Sequence, residues 1–177
     1  YGLGEYGNIS GLIYENVKYV DSMPDCKLVA HGLDFGYSID SCAALSVYRK
    51  DDELYLKELI YERELTNHDI AEKLIPIIGR DELICDSAEP KSIEELYRLG
   101  LNAKPATKGR DSILNGIDIL KRYKINVVNS SRMYKWATDK NGNSLQKPIG
   151  SDHLLDALRY VALIHLKENN RGWYSIR

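Results

Sequence analysis

Three aspartates stand where a divalent cation could be shared. Asp34 lies in Gly32-Leu33-Asp34-Phe35-Gly36, and Asp86 follows Leu83-Ile84-Cys85 and precedes Ser87-Ala88-Glu89-Pro90. Asp156 lies in Asp152-His153-Leu154-Leu155-Asp156-Ala157-Leu158-Arg159-Tyr160. The first two end apolar, strand-like runs, and the third sits in an amphipathic helical pattern. Carboxylate oxygens delivered from two strand ends and one helix suit one or two hard cations, Mg²⁺ or Mn²⁺. A pair of such ions can drive phosphodiester hydrolysis by in-line attack of water. His153 precedes Asp156 by three residues and Asp152 by four, so all three share one side of a helix. His153 can ligate a metal, move a proton or orient a phosphate. Asp152 is an additional candidate ligand, although the helix dipole also favours an acid at that position.

Each segment has a plainer reading. Asp34 alone fits a turn after a strand, and Asp86 alone fits the start of a helix at Pro90. Asp34-Phe35-Gly36 also matches a kinase metal motif, but no His-Arg-Asp loop or Gly-rich loop with its lysine accompanies it. An aspartate at the end of a buried run, however, is costly to desolvate unless something cationic satisfies it. The three segments in this order are far more specific than any one.

The elements that must carry them follow from the pattern. Residues 1–25 show no clear period and read as a linker or N-terminal arm; residues 26–177 read as one domain. Strands are predicted over 27–34, 42–49 and 53–62, with Asp51-Asp52 as a turn, so short connections imply an antiparallel meander. Thr66 or Asn67 caps a helix to about Ile78, closed by Gly79. Leu83-Ile84-Cys85 is a short buried strand. Pro90 starts a helix to Leu99 that Gly100 ends. Further strands are expected at 101–105 and 124–128, with a helix from about Asp111 to Tyr123 between them. Asn141-Gly142 marks a hairpin between 135–138 and 144–146. A last helix runs from about Ser151 to Lys167. Three antiparallel strands, then alternating helices and parallel strands, give an α/β fold with a mixed central sheet flanked by helices. That is the element order of the ribonuclease H-like fold.

The charge is segregated. The net charge is −2 over 177 residues, but residues 1–100 carry −10 and residues 101–150 carry +7. The basic stretch suits a polyanion, with Lys108, Arg110, Arg132, Lys135 and Lys140 as candidate DNA contacts. The hairpin at 136–147 would lie beside the site as a DNA clamp or a cover. The three cysteines, Cys26, Cys42 and Cys85, are scattered, so a zinc site is not expected and a reducing compartment is. No apolar run is long enough to cross a membrane. No signal peptide and no initiator Met begin the sequence, which reads as a piece of a longer chain.

With these residues in view, the chain resembles the nuclease domain of the large terminase subunit of tailed bacteriophages. The likeness covers about residues 28–166. It is carried by His31-Gly-Leu-Asp34-Phe-Gly36, Cys85-Asp86-Ser-Ala-Glu-Pro90, Lys108-Gly-Arg-Asp-Ser-Ile113, Tyr134-Lys135-Trp136 and Asp152-His153-Leu-Leu-Asp156-Ala-Leu-Arg-Tyr160. The resemblance implies an endonuclease that cuts double-stranded DNA during genome packaging in the cytoplasm of an infected bacterium. It implies Asp34, Asp86 and Asp156 as ligands of two divalent metals, with His153 as a further active-site residue. It also implies an N-terminal ATPase domain in the full-length chain, and a portal protein and small terminase subunit as partners. No G-x-x-x-x-G-K-[ST] loop occurs in this sequence, so no ATP chemistry is expected of it. Two other classes fit the residues: another ribonuclease H-like nuclease of resolvase or transposase type, and a non-catalytic nucleic-acid-binding domain.

Overall fold

A computed structural model of the protein describes residues 17–37, 39–107, 109–128 and 153–167 with their side chains, and the backbone alone at 135–138, 144–149 and 152. In chain order the elements are β1 (Val17–Val20), β2 (Lys27–Asp34), β3 (Cys42–Lys50), β4 (Glu53–Glu62), α1 (Asn67–Ile78), β5 (Glu82–Cys85), α2 (Pro90–Leu99) and β6 (Asn102–Pro105). They continue with α3 (Ser112–Leu120), β7 (Lys124–Val128), β8 (Lys135–Thr138), β9 (Ser144–Ile149) and α4 (Asp152–Val161), which a π-helical turn, Ala162–Leu166, extends.

Seven strands form one sheet in the order β1-β7-β4-β3-β2-β5-β6. The expected meander is present: β2 and β4 both pair antiparallel with β3, and the two-residue Asp51-Asp52 link joins β3 to β4. Asp51 takes φ 52°, a left-handed conformation that aspartate tolerates. On one side β5 and β6 add in parallel to β2. On the other, β7 adds in parallel to β4 and β1 to β7. Thus the segment read as a linker or arm, residues 1–25, contributes an edge strand at Val17–Val20. Strands β8 and β9 pair antiparallel as a separate ribbon, as the Asn141-Gly142 signal predicts; residues 139–143 lie outside the described residues.

The sheet divides the core in two, because alternate side chains point to opposite faces. Ala30, Ala43, Leu45, Val47 and Ile84 pack with Leu154, Ala157, Leu158 and Val161 of α4. Leu33, Cys42, Ala44, Leu83 and Cys85 pack with Ile70 and Leu74 of α1 and Ile93 and Leu96 of α2. Being covered on both faces explains why the central strands read as continuous apolar runs. Local signals fix the helix ends. Thr66 and Asp69 form a reciprocal capping box at α1, and Gly79 and Gly100 close α1 and α2 at positive φ. Cys42 and Cys85 are free thiols buried in the α1/α2 layer. Burial pushes the Cys42 thiol up to about 12 and raises that of Cys85 as well.

Candidate active site

Parallel pairing of β2 and β5 brings the first two aspartates side by side. Leu33 is in register with Cys85, and the Asp86 amide donates to the Leu33 carbonyl at 3.1 Å. Leu33 and Cys85 point into the α1/α2 layer, so alternation turns Asp34, and Asp86 one residue beyond its strand, toward α4. The carboxyl ends of adjacent parallel strands are where open α/β sheets present their ligand sites. Asp86 also accepts from the Ala88 amide at 3.0 Å, which shapes the turn into α2. The α2 N-cap is Glu89, without a side-chain capping bond.

Helix α4 lies directly on β2. A methyl group on Gly32 would stand 2.3 Å from the Ala157 carbonyl oxygen, so this approach requires a glycine. With the helix so close, residues on its sheet-facing side straddle Asp34. His153 Nδ1 donates to Asp34 Oδ2 at 2.8 Å and the Tyr160 hydroxyl donates to Asp34 Oδ1 at 2.9 Å. The other ring nitrogen of His153 lies 3.5 Å from Asp40 Oδ1. Asp156, between His153 and Tyr160 along the helix, accepts from Arg159 Nη1.

The electrostatics record the crowding. Asp34 is buried, and burial raises its pKa. The bonds from His153 and Tyr160 pull it back down, and the charge of Asp156 pushes it up again. Burial likewise raises the Tyr160 hydroxyl, and the charges of Asp34, Asp86 and Asp156 all add to that shift. One phenol therefore feels all three carboxylates.

The structure thus brings Asp34, Asp86, Asp156 and His153 to one end of the sheet. The oxygen donors suit a hard cation, and a buried carboxylate next to a second negative charge is a place where one would be welcome. Among the described residues, however, no three His, Cys, Asp or Glu side chains are already gathered around a common point. Asp34 and Asp156 each accept hydrogen bonds from side chains of α4, which hold their carboxylates in place.

The other expected positions fare differently. Asp152 opens α4, but its side chain lies outside the described residues, as do Lys108, Arg132 and Lys140; of Lys135 only the backbone is described. Arg110 is exposed just ahead of α3. Two other cations of the basic stretch are held by nearby acids: Lys104 by Glu82 at 2.6 Å and Lys124 by Asp52 at 3.3 Å. Sequence reasoning misses Tyr160 and Arg159 as site residues, although Tyr160 stands seven residues after His153 and so returns to the same helical side. Among the described residues, no helix is long and apolar enough to cross a membrane.

Comparison with known proteins agrees with this arrangement. The terminase RNase H-like domain model matches residues 34–163. The PBSX phage terminase large subunit of Bacillus subtilis (strain 168) is 33% identical over 142 residues, which is 73% of this chain and 33% of that protein. The chain therefore spans about a third of the length of this relative. Among solved structures, the large terminase nuclease domain of bacteriophage SPP1, with bound Mn, superposes with a TM-score of 0.60 at 22% identity, covering 84% of this chain and 96% of that one. The P22 large terminase nuclease domain gives 0.61 at 16% identity, covering 87% and 92%. The large terminase of a thermophilic bacteriophage gives 0.60 at 22% identity, covering 86% of this chain and 45% of that one. The fold is the ribonuclease H-like fold of these domains, and the chain belongs to the terminase RNase H-like domain family.

Proposed function

We propose that this chain is the nuclease part of a large terminase, a metal-dependent endonuclease that cuts double-stranded DNA during viral genome packaging in the infected bacterial cell. The observation that carries the reading is the electrostatic cluster of Asp34, Asp86 and Asp156 at the carboxyl ends of two parallel strands and the facing helix. In this reading the three carboxylates hold two divalent cations, Mg²⁺ or Mn²⁺, with Asp152 as an additional ligand. Bound there, the cations would activate water for attack on phosphorus and stabilise the leaving 3′-oxygen. The protein's own contribution is orientation. Tyr160 and His153 fix the two oxygens of Asp34, and His153, held also near Asp40, is placed to hold or pass a proton.

Lys108 and Arg110 contact the phosphate backbone, with Arg132, Lys135 and Lys140 extending the interface, so binding carries little sequence preference. The longer relatives motivate an ATPase domain in the same full-length chain, and the family resemblance implies a small terminase subunit and a portal protein as further partners.

A plasmid-nicking assay with EDTA, Mg²⁺ or Mn²⁺ tests this reading. Cleavage is expected only with metal, and Asp34→Asn, Asp86→Asn and Asp156→Asn should each fall below detection while remaining folded. Removing the Asp34 charge, which burial already disfavours, should leave metal-free stability unchanged or higher, whereas Asp156→Asn also gives up the ion pair with Arg159. Two of the three variants nicking at the wild-type rate would overturn the site assignment. A non-catalytic DNA-binding domain is the second reading, and no cleavage under any metal would select it. Faster cutting of branched than of linear duplexes would point to a resolvase-type enzyme instead.

A further inference from the structure

Arg159 is a deeply set cation. Its side chain is 14% exposed, and its Nη1 donates to Asp156, one turn earlier on α4. Its guanidinium carbon also stands 5.8 Å from the ring centre of Tyr160, whose hydroxyl holds Asp34. The stem of Arg159 reaches this place across α3. A methyl group on Gly116 would lie 2.2 Å from Arg159 Cγ and 2.8 Å from Cδ, closer than non-bonded carbons come. Gly116 is buried in the middle of α3. Glycine is unfavourable in a helix interior, so its place there calls for a packing reason. The Arg159 stem supplies one.

We propose that Gly116 and Arg159 form a positioning device for Asp156. The notch at Gly116 seats the arginine stem, and the seated guanidinium orients the Asp156 carboxylate toward an incoming divalent cation. This rests on the reading of Asp156 as a metal ligand. Arg159 is a positioning residue, because it acts through Asp156.

Two effects of opposite sign meet at this ion pair. A guanidinium beside a ligand repels a dication, so removing it would tighten metal binding if charge alone mattered. A carboxylate that has lost its outer partner is poorly oriented, and such losses weaken metal binding by about 10–100-fold. The pinned stem, mostly out of solvent, means that little orientation freedom remains to be lost when metal arrives, so the second effect dominates.

Titration calorimetry with Mn²⁺ on the chain and its variants tests this, beside melting curves without metal. Arg159→Met is expected to weaken Mn²⁺ binding by about 10-fold or more. Gly116→Ala should weaken it in the same direction, by displacing the stem, and Arg159→Lys should restore part of the loss. Combining Gly116→Ala with Arg159→Met should weaken binding no further than Arg159→Met alone, since both break one device. Asp156→Asn is the control. If it loses Mn²⁺ while Arg159→Met binds as tightly as wild type or more tightly, the positioning role is overturned and the site assignment survives. If Asp156→Asn itself binds like wild type, the site assignment fails and this inference with it. Fully additive losses in the double variant would remove Gly116 from the device. Should Gly116→Ala fail to fold, the Met and Lys variants of Arg159 still decide.

Discussion

Strand β2 buries two ionisable side chains three residues apart, and they keep different company. Asp34, at the strand's end, faces α4 and has both oxygens held, with the charge of Asp156 in reach and Asp86 beside it across the β2/β5 pair. His31, mid-strand, faces the α1/α2 layer. Its Nδ1 meets the Ser46 hydroxyl at 2.9 Å, and among the described residues its buried Nε2 has no hydrogen-bond partner, with Asp81 Oδ2 standing 3.8 Å away. Burial shifts both against their charged forms: Asp34 upward and His31 downward, with Asp81 partly opposing the latter. A buried, shifted group is therefore not enough to mark a site. What distinguishes Asp34 is convergence, with donors and like charges from separate elements meeting at an open strand end.

This contrast can be broken most forcefully at Gly32. Gly32→Ala places a methyl group against the Ala157 carbonyl and must lift α4 from β2. It should cost about 1–3 kcal/mol of stability by overpacking and remove most cleavage, because His153 and Tyr160 leave Asp34 together. Urea unfolding and nicking rates measured on the same sample check this; a stable variant with full activity would mean the close approach is dispensable. Tyr160→Phe is milder. It removes a single donor from a buried carboxylate, a loss of about 1.5–3 kcal/mol if the bond is to the charged form. Cleavage should fall about tenfold or more, while His153 still holds the other oxygen. An unchanged rate would reduce Tyr160 to a core aromatic.

Charge reversal at Lys108 and Arg110 should act on binding rather than on the chemical step. The slope of log affinity against log salt should shrink by about one per lost phosphate contact, equally across DNA sequences. An unchanged slope would take this stretch out of the interface.

The smallest effect is expected at His31, and it concerns stability alone. Its pKa is lowered on folding, so the unfolded chain binds the extra proton first as pH falls. Stability associated with neutral His31 is therefore present above about pH 6.5 and lost as pH drops toward the folded value. The contribution cannot exceed about 1.4 kcal/mol per pH unit. His31→Gln should flatten that part of the urea-midpoint profile and leave nicking untouched; a fall in nicking would dissolve the contrast with Asp34.

Legibility in the sequence followed locality. The placement of Asp34, Asp86, His153 and Asp156 at one end of the sheet is legible because each lies on or next to an element whose period can be read within a dozen residues. The capping box at Thr66 and the glycines after α1 and α2 were visible for the same reason. The place of β7 beside β4, and the pairing of Val17–Val20 with Ile125–Val128, were not. These join segments with no shared local pattern, and a four-residue edge strand is too short to show a period. Tyr160 and Arg159 were missed for a related reason. A helix pattern shows which side a residue occupies, but it cannot show that Gly32 and Gly116 on other elements leave room for α4 and the Arg159 stem.

The two buried thiols give the molecule an internal clock. Cys42 and Cys85 sit together in the α1/α2 layer, and their raised pKa values keep them protonated and unreactive near neutral pH. Alkylation at either can proceed only as fast as that layer exposes it. The layer under α4 holds no cysteine among its buried residues. Labelling kinetics would therefore time the breathing of one half of the core alone, and adding metal or DNA would reveal whether events at the α4 end are felt across the sheet.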